Sequence, residues 1–411
     1  MASSLNASTS GGGGVIVTSD ASGNLDIQSG GSTVVAVTSA GATVTGTLSA
    51  TGAVTLTGSL NTPNTFGFKN RIINGGMVID QRNAGASVNP SSAVPTYIVD
   101  RFVAYQEQTS KFTVQQNAGS VTPPVGFVNY LGVTSSSAYS ATTGQVFSLW
   151  QSIEGFNVAD LNWGSANAKT VTLSFQVYSS LTGTFGGSLK NSAGNRSYPF
   201  TYTISAANTW TSISITVAGD TTGTWLTTNG IGVTVYWSLG TGTTYQGTAG
   251  AWAAANYLSA TGATSVVGTS GATFYITGVQ LEKGSTATSF DYRPYGTELA
   301  LCQRYYYNHV SGATAQAIAN FCNYSATQAR GVIHFPVSMR TAPSLVASSG
   351  TDYYEFRRNG AADLFNSLLI LNAAPNCSGV YNDTEISGTA GQAGTAATNS
   401  ASASIGFSAE L

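Results

Sequence analysis

Charge is what this chain has least of. Asp, Glu, Lys and Arg make up 8% of its 411 residues, against roughly 25% in ordinary soluble proteins. The formal net charge is −2, so there is no electrostatic footprint for nucleic acid. Blocks of basic residues are absent, which argues against an anionic membrane surface as partner. No apolar run approaches the roughly 18 residues of a spanning helix, so no membrane insertion is expected. The N-terminus, MASSLNASTSGGGG, lacks the basic and apolar regions of a secretory signal, and synthesis in a cytoplasm without Sec export is expected. Cysteine is scarce: Cys302, Cys322 and Cys377 are odd in number and lack metal-type spacing, and they read as reduced and buried.

The same scarcity limits catalysis. Glycan cleavage needs a general acid together with a base or nucleophile, yet the 17 acids are scattered, and Asp220 stands alone between Asp160 and Glu282. Asp80 and Asp100 sit beside Arg82 and Arg101 and read as structural ion pairs. His309 and His334 are the only histidines, and each reads as a satisfied polar group of a β core. Carboxylates do not cluster as calcium requires, and Gly11–Gly14 is followed by no Lys-Ser/Thr of a phosphate loop. No catalytic residue, metal or cofactor is assigned.

What the chain does have is strand and turn chemistry. Apolar residues reach 42% and aromatics 10%, with 48 Gly. Thr, Val, Tyr and Trp favour pleated strands, while Gly and Asn favour tight turns. An all-β protein follows, in three zones. Residues 1–64 carry no aromatic, Lys or Arg but hold short apolar runs: Val15–Val17, Leu25–Ile27 and Val34–Val37. A 12-residue echo joins Gly46-Thr47-Leu48 to Gly58-Ser59-Leu60. Strands this thin need partners to bury them, so a trimeric β-stalk around a shared axis is expected. Residues 65–296 read as a jelly-roll or β-sandwich. Lys169–Ser180 alternates Val171, Leu173, Phe175 and Val177 on one face. Further strands are expected at 198–205, 212–217, 231–239 and 272–281, with a short helical turn within 155–162. Residues 297–411 read as a small C-terminal β-sandwich, entered through a short helix that Thr297 can cap or through a strand. Its strands are expected at 331–337, 351–357, 368–372 and 403–411, the last fed by a polar loop, GTAGQAGTAATNSASAS.

Binding chemistry is expected from aromatics, which stack on the apolar faces of sugars. Of Trp150, Trp163, Trp210, Trp225, Trp237 and Trp252, Trp210 and Trp237 lie at or in strands and read as core. Trp163 and Trp252 lie in loops rich in small residues and are candidate glycan contacts. The densest polar-aromatic cluster, Asp352 to Asn359, adds Tyr353, Tyr354, Arg357 and Arg358, combining stacking rings with guanidinium forks.

One stretch resembles a known module. Asn70-Arg71-Ile72-Ile73-Asn74-Gly75-Gly76-Met77, Ile79-Asp80-Gln81-Arg82 and Val99-Asp100-Arg101-Phe102 are similar to the opening of a module widespread in tailed-bacteriophage tail fibres. Ile276-Thr277-Gly278-Val279-Gln280-Leu281-Glu282 and Ser289-Phe290-Asp291-Tyr292-Arg293-Pro294 are similar to its close, and Phe407–Leu411 to the domains that follow it. The resemblance implies a virion fibre or receptor-binding protein with a carbohydrate-binding-module-like jelly roll. Together with the stalk reading of residues 1–64, a homotrimer is expected, joined to a phage tail or baseplate protein through that segment, with host polysaccharide or lipopolysaccharide as the receptor. A structural head fibre or capsid decoration protein, and a glycan-cleaving spike, are the alternatives it leaves.

Overall fold

The computed structural model describes residues 25–29, 32–38, 41–45 and 68–411, in two compact units, Met1–Thr62 and Pro63–Leu411. In the first, Leu25–Ser29, Ser32–Thr38 and Gly41–Val44 form an antiparallel three-stranded meander. Ile27, Val37 and Val44 stay 51%, 38% and 38% exposed on it. The Val15–Val17 run and the 12-residue echo lie outside the described residues.

Among the described residues the second unit is all-β apart from one α-helix and four short 3-10 turns. Its larger part is a two-sheet sandwich. One sheet runs, in spatial order, Ser197–Ile204, Gly183–Lys190, Ile231–Thr241, Val146–Glu154, Val103–Gln106, Thr96–Tyr97; the other runs Thr211–Val217, Val171–Ser179, Thr273–Lys283, Leu131–Ser135, Phe112–Gln116. The chain crosses between the sheets at most connections, the winding of a jelly roll. Alternation dictates the packing. Val171, Leu173, Phe175 and Val177 meet Val233, Val235, Trp237 and Leu239 across the interior, with Phe175 and Trp237 edge to face at 5.9 Å. Full burial of each such side chain stabilises the fold by roughly 1.5–3 kcal/mol.

The helix Tyr295–Gln303 leads into the rest. A three-stranded sheet (Tyr306–Ser311, Ser404–Ser408, Ser344–Ala347) adjoins a seven-stranded one that runs Ala361–Phe365, Tyr354–Arg358, Ala393–Thr398, Ala317–Asn323, Ala329–His334, Cys377–Asn382, Leu369–Ala374. Phe321, Tyr354, Phe356, Phe365, Ile405 and Phe407 belong to their shared core.

Several expectations need correction. The helix begins after Pro294, with no side-chain cap, and Thr297 lies inside it. The helical segment within 155–162 is two 3-10 turns, Gly155–Asn157 and Ala159–Leu161. The polar tail is not all loop: Ala393–Thr398 is an interior strand of the seven-stranded sheet, because its small side chains fit under neighbours on both sides. Cys302 is buried, but Cys322 is exposed and Cys377 half-buried, since strand alternation turns Cys322 outward. His309 is half-buried and bonded, Nδ1 to the Tyr307 hydroxyl at 3.0 Å and Nε2 to Ile318 O at 2.7 Å; His334 is exposed.

The residues that carry the fibre resemblance converge on the joint between the sandwich and the C-terminal sheets. Asn70 donates Nδ2–H to Val279 O at 3.0 Å, and Asp291 accepts from the Lys69 and Asn70 amides. Asn74, at φ 60°, donates to Ile79 O and Asp100 O. Arg293 donates to Ile72 O and pairs with Glu298 at 3.1 Å. Arg304 grips Glu154 through Nε at 2.9 Å and Nη2 at 2.6 Å, and the Tyr305 hydroxyl donates to the same carboxylate at 2.6 Å. Arg82 and Arg101 do not pair with Asp80 and Asp100; both reach Glu410. Asp80 instead caps the amides of Asn83 and Gly85, and Asp100 accepts from the Gln81 backbone and side chain. These motifs are therefore the hydrogen-bonded seam of the fold.

Burial pushes the Asp100 carboxyl up to about 6, against the pull of the Gln81 donors. A raised acid favours its protonated form in the folded chain. The stability it contributes is complete below about pH 3.8, its unfolded value, and is lost as pH rises through about 6. Relative to Asp100→Asn, the parent chain is expected to lose stability between pH 4 and pH 7. Urea midpoints at both ends of that range measure this, and a constant difference between the two proteins would contradict it.

Candidate functional site

On the sheet Val103–Gln106, Val146–Glu154 and Ile231–Thr241, alternation that sends Ala104, Phe147, Leu149, Val235 and Trp237 inward turns Tyr105, Ser148, Trp150 and Tyr236 to the outer face. Register then aligns them. Trp150 lies opposite Tyr236 on one side and Val103 on the other, and Tyr105 lies opposite Ser148. The rings form a row across three strands, Tyr105 to Trp150 at 5.8 Å and Trp150 to Tyr236 at 5.3 Å. A loop returns over the end of the row with Tyr245, Asn256 and Leu258, tied by Leu258 N donating to Tyr245 O at 2.8 Å. The result is a cleft of about 280 Å3 that Glu107 also lines, close to the smallest volumes of small-ligand sites.

Its polar groups are unusually unspent. Four of the six indole N–H groups donate to backbone carbonyls: Trp163 to Lys169 O, Trp210 to Thr122 O, Trp225 to Thr222 O and Trp252 to Ala218 O. That of Trp237 is buried without a partner. Among the described residues Trp150 alone keeps an indole N–H that is neither bonded nor buried, and its side chain lines the cleft. Beneath it, the Ser148 hydroxyl is buried with no partner, a state that costs about 1–3 kcal/mol unless something completes it. The Tyr105 hydroxyl donates to Glu107 at 2.7 Å; burial first, and that carboxylate second, push it up to about 12. The Lys190 ammonium stands 5.1 Å from the centre of the Tyr236 ring, its pKa lowered by burial. Flat apolar faces flanked by an N–H, a hydroxyl, an amide and a carboxylate suit a polyhydroxylated ligand with apolar C–H faces.

The residues singled out in the sequence lie elsewhere. Trp163 and Trp252 meet Trp225 in a triangle, all pairs edge to face at 4.8–5.3 Å. Packed against the sandwich core with every indole N–H bonded internally, the triangle seals one rim. Trp210 is not in that core; it packs on the outer face of the other sheet with Tyr130 and Tyr178. Tyr354 is fully buried, its hydroxyl donating to Ser348 O and Ser404 O, so it offers no ring to a ligand. Tyr353 is half-buried against it. Arg358 pairs with Asp363 at 2.7 Å, while Arg357 is 58% exposed beside Glu355. Both arginines border an open groove at the Asn359-Gly360 hairpin tip, where positive φ at both residues is what a tight two-residue turn requires. Tyr354, Arg357 and Arg358 thus share a strand that Tyr353 precedes, and the two rings and the two guanidinium groups do not form one surface. Trp150 was legible as a candidate but not as this one: QVFSLWQSIE alternates cleanly, yet nothing in it says which face is covered.

No family model and no curated protein matches the chain. Solved structures resemble it in part. The enzymatically active domain of tailspike protein 4 from bacteriophage CBA120 aligns over 53% of this chain at 11% identity and a TM-score of 0.27, and this chain covers 22% of that one. The family 11 carbohydrate-binding module of Clostridium thermocellum, solved with a β-1,3-1,4-mixed-linked tetrasaccharide, aligns over 50% at 12% identity and a TM-score of 0.25, and is covered in full.

Proposed function

We propose that this chain is a virion fibre protein of a tailed bacteriophage that binds host-surface glycan in the Tyr105–Trp150–Tyr236 cleft. The observation that carries this is the pairing of a free indole N–H with an orphaned buried hydroxyl in one aromatic-walled cleft. The unbonded N–H of Trp237 is sealed in the core, whereas Trp150 lines an open cleft where a hydroxylated ligand can reach it. The resemblance of the seam motifs to fibre modules supplies the virion setting. Binding rather than cleavage fits because Glu107 is the only acid lining the cleft, and hydrolysis calls for two carboxylates across the bond.

Each cleft is small, so strength comes from copies. As a homotrimer held by residues 1–64, three clefts in one assembly raise avidity by roughly 10²–10⁴ over a single site. The apolar side chains left exposed on the Leu25–Val44 meander support such an assembly. Light scattering on the full chain is expected to give three times 42.1 kDa, and a lower mass for a chain beginning at Pro63.

The direct test is Trp150→Ala on an array of bacterial surface polysaccharides. A central aromatic contact is worth about 2 kcal/mol or more, so binding is expected to weaken on the order of 30-fold, with an unchanged circular dichroism spectrum. Equal binding by both proteins would remove the cleft from consideration.

A further inference from the structure

The other sheet of the sandwich carries a second groove, of about 490 Å3, built differently. Its floor is a ladder of small polar side chains on two paired strands: Ser174 opposite Ser214, and Gln176 opposite Ser212. The Gln176 amide and the Ser212 hydroxyl bond each other at 2.8 Å. The Ser174 and Ser214 hydroxyls make no hydrogen bond among the described residues. Its wall is aromatic. Phe127 packs on Phe290 at 5.1 Å and on Tyr292 at 5.6 Å, and these two lie 4.9 Å apart.

The wall is held in place by the backbone. The strand Thr273–Lys283 bulges between Thr277 and Gln280, placing Gly278 at φ +61° with the Phe127 ring where a Cβ would stand, 2.5 Å away. Asp291, fixed by the Lys69 and Asn70 amides, presents Phe290 and Tyr292 on either side of itself. Tyr292 nonetheless remains 57% exposed, and the adjacent Val125 is fully exposed. Tyr292 and Val125 thus add exposed apolar surface to an aromatic wall bordered by polar side chains, and contiguous patches of this kind mark contact sites. No Asp, Glu, Lys, Arg or His lines the groove.

We infer that this groove is a second carbohydrate site, separate from the Trp150 cleft and selective for an uncharged oligosaccharide. The ladder repeats every second residue, roughly 6.6–6.8 Å along the strand, which offers hydroxyl partners to successive polar groups of an extended chain while the wall covers its apolar faces. The absence of formal charge disfavours an acidic glycan, which would lose its hydration there without a compensating cation. The Trp150 cleft, with Glu107 and Lys190 beside it, has no such restriction. Two sites on opposite sheets would let one protomer bridge two glycan strands.

The groove contains no tryptophan, so the two sites report separately. Saturation-transfer NMR with uncharged hexasaccharides of glucan, mannan and galactan type detects both, whereas tryptophan fluorescence follows the Trp150 cleft. In Trp150→Ala, saturation transfer to at least one of these probes is expected to persist, and in Trp150→Ala/Tyr292→Ala/Ser214→Val it is expected to fall to background. Tyr292 and Ser214 are exposed, so the fold tolerates their replacement. Loss of all transfer in Trp150→Ala alone overturns the second site. So does transfer unchanged in the triple variant, or a Tyr292→Ala protein whose solution mass drops, which would make the wall a contact between copies of the chain. Failure of the Trp150 cleft reads differently, as tryptophan fluorescence of the parent chain that stays unmoved by every polysaccharide the chain binds.

Discussion

Replacing Glu410 with glutamine is expected to destabilise the Pro63–Leu411 unit by about 3–5 kcal/mol. This carboxylate lies one residue from the last in the chain, yet it anchors the centre of the fold. Arg82 reaches it at 3.0 Å and Arg101 more closely still. Arg101 is 2% exposed and Arg82 14%, so neither regains water when the charge is removed. Both guanidinium groups also lie over rings, Arg101 over Tyr305 at 3.6 Å and Arg82 over Tyr306 at 3.5 Å, and Arg101 donates to Ser152 O at 2.6 Å. Arg340 holds the same segment by donating to Ala409 O and Glu410 O. Glutamine keeps the shape and one acceptor but leaves two buried cations with no anion. The cost is the unpaired charge, not the lost contact. Urea unfolding followed by tyrosine and tryptophan fluorescence measures it. A midpoint within error of the parent would mean that water enters the joint and screens both arginines.

Gly75→Ala is expected to cost about 3 kcal/mol or more, and its neighbour Gly76→Ala less than about 1 kcal/mol. A Cβ at Gly75 would stand 2.1 Å from Val279 O and 3.3 Å from Asn70 Nδ2. The backbone there cannot yield cheaply, because Val279 N donates to Gly75 O at 2.9 Å and Val279 O accepts from Asn70. Overpacking of roughly 1–3 kcal/mol adds to two disturbed buried hydrogen bonds at about 1 kcal/mol each. At Gly76 the new methyl meets only the Phe290 ring and Val78, at 3.8–3.9 Å, which is ordinary contact, and φ is not positive. The pair separates a structural role for the Asn74-Gly75-Gly76 motif from a binding role. Thermal unfolding of the two variants side by side decides it. Equal effects would mean the seam is looser than its contacts imply, and a loss of glycan binding without loss of stability in Gly75→Ala would make the motif part of a site.

These outcomes bear on what motifs of this kind report. The residues similar to fibre modules are the ones that tie strand to strand at the joint, and the two candidate sites draw mainly on less distinctive positions. Tyr105, Trp150 and Tyr236 sit within ordinary alternating strands. Ser174 and Ser214 are serines among many. Gly278, Phe290 and Tyr292 are exceptions, since the closing motif both locks the seam and sets the second groove's wall.

Composition and period-two alternation by themselves determined that the chain is all-β, where Val171–Ser179 and Ile231–Thr241 run, and that Trp237 is core. Those signals are local: each residue's face follows from its neighbours two positions away. Tertiary structure decided everything that joins distant segments. It gave Arg82 and Arg101 to Glu410, more than 300 positions along, in place of the adjacent aspartates. It made GTFGGSLK a strand beside Ile231–Thr241, with Gly187 bare because Tyr236 O and the Phe200 ring occupy the space of a side chain. It drew Ala393–Thr398 out of a polar tail into the middle of a sheet, and it spent four indole N–H groups on loop carbonyls while leaving Trp150's free. Strand alternation says which residues share a face, but only the pairing of sheets and the path of the loops settle which faces are covered.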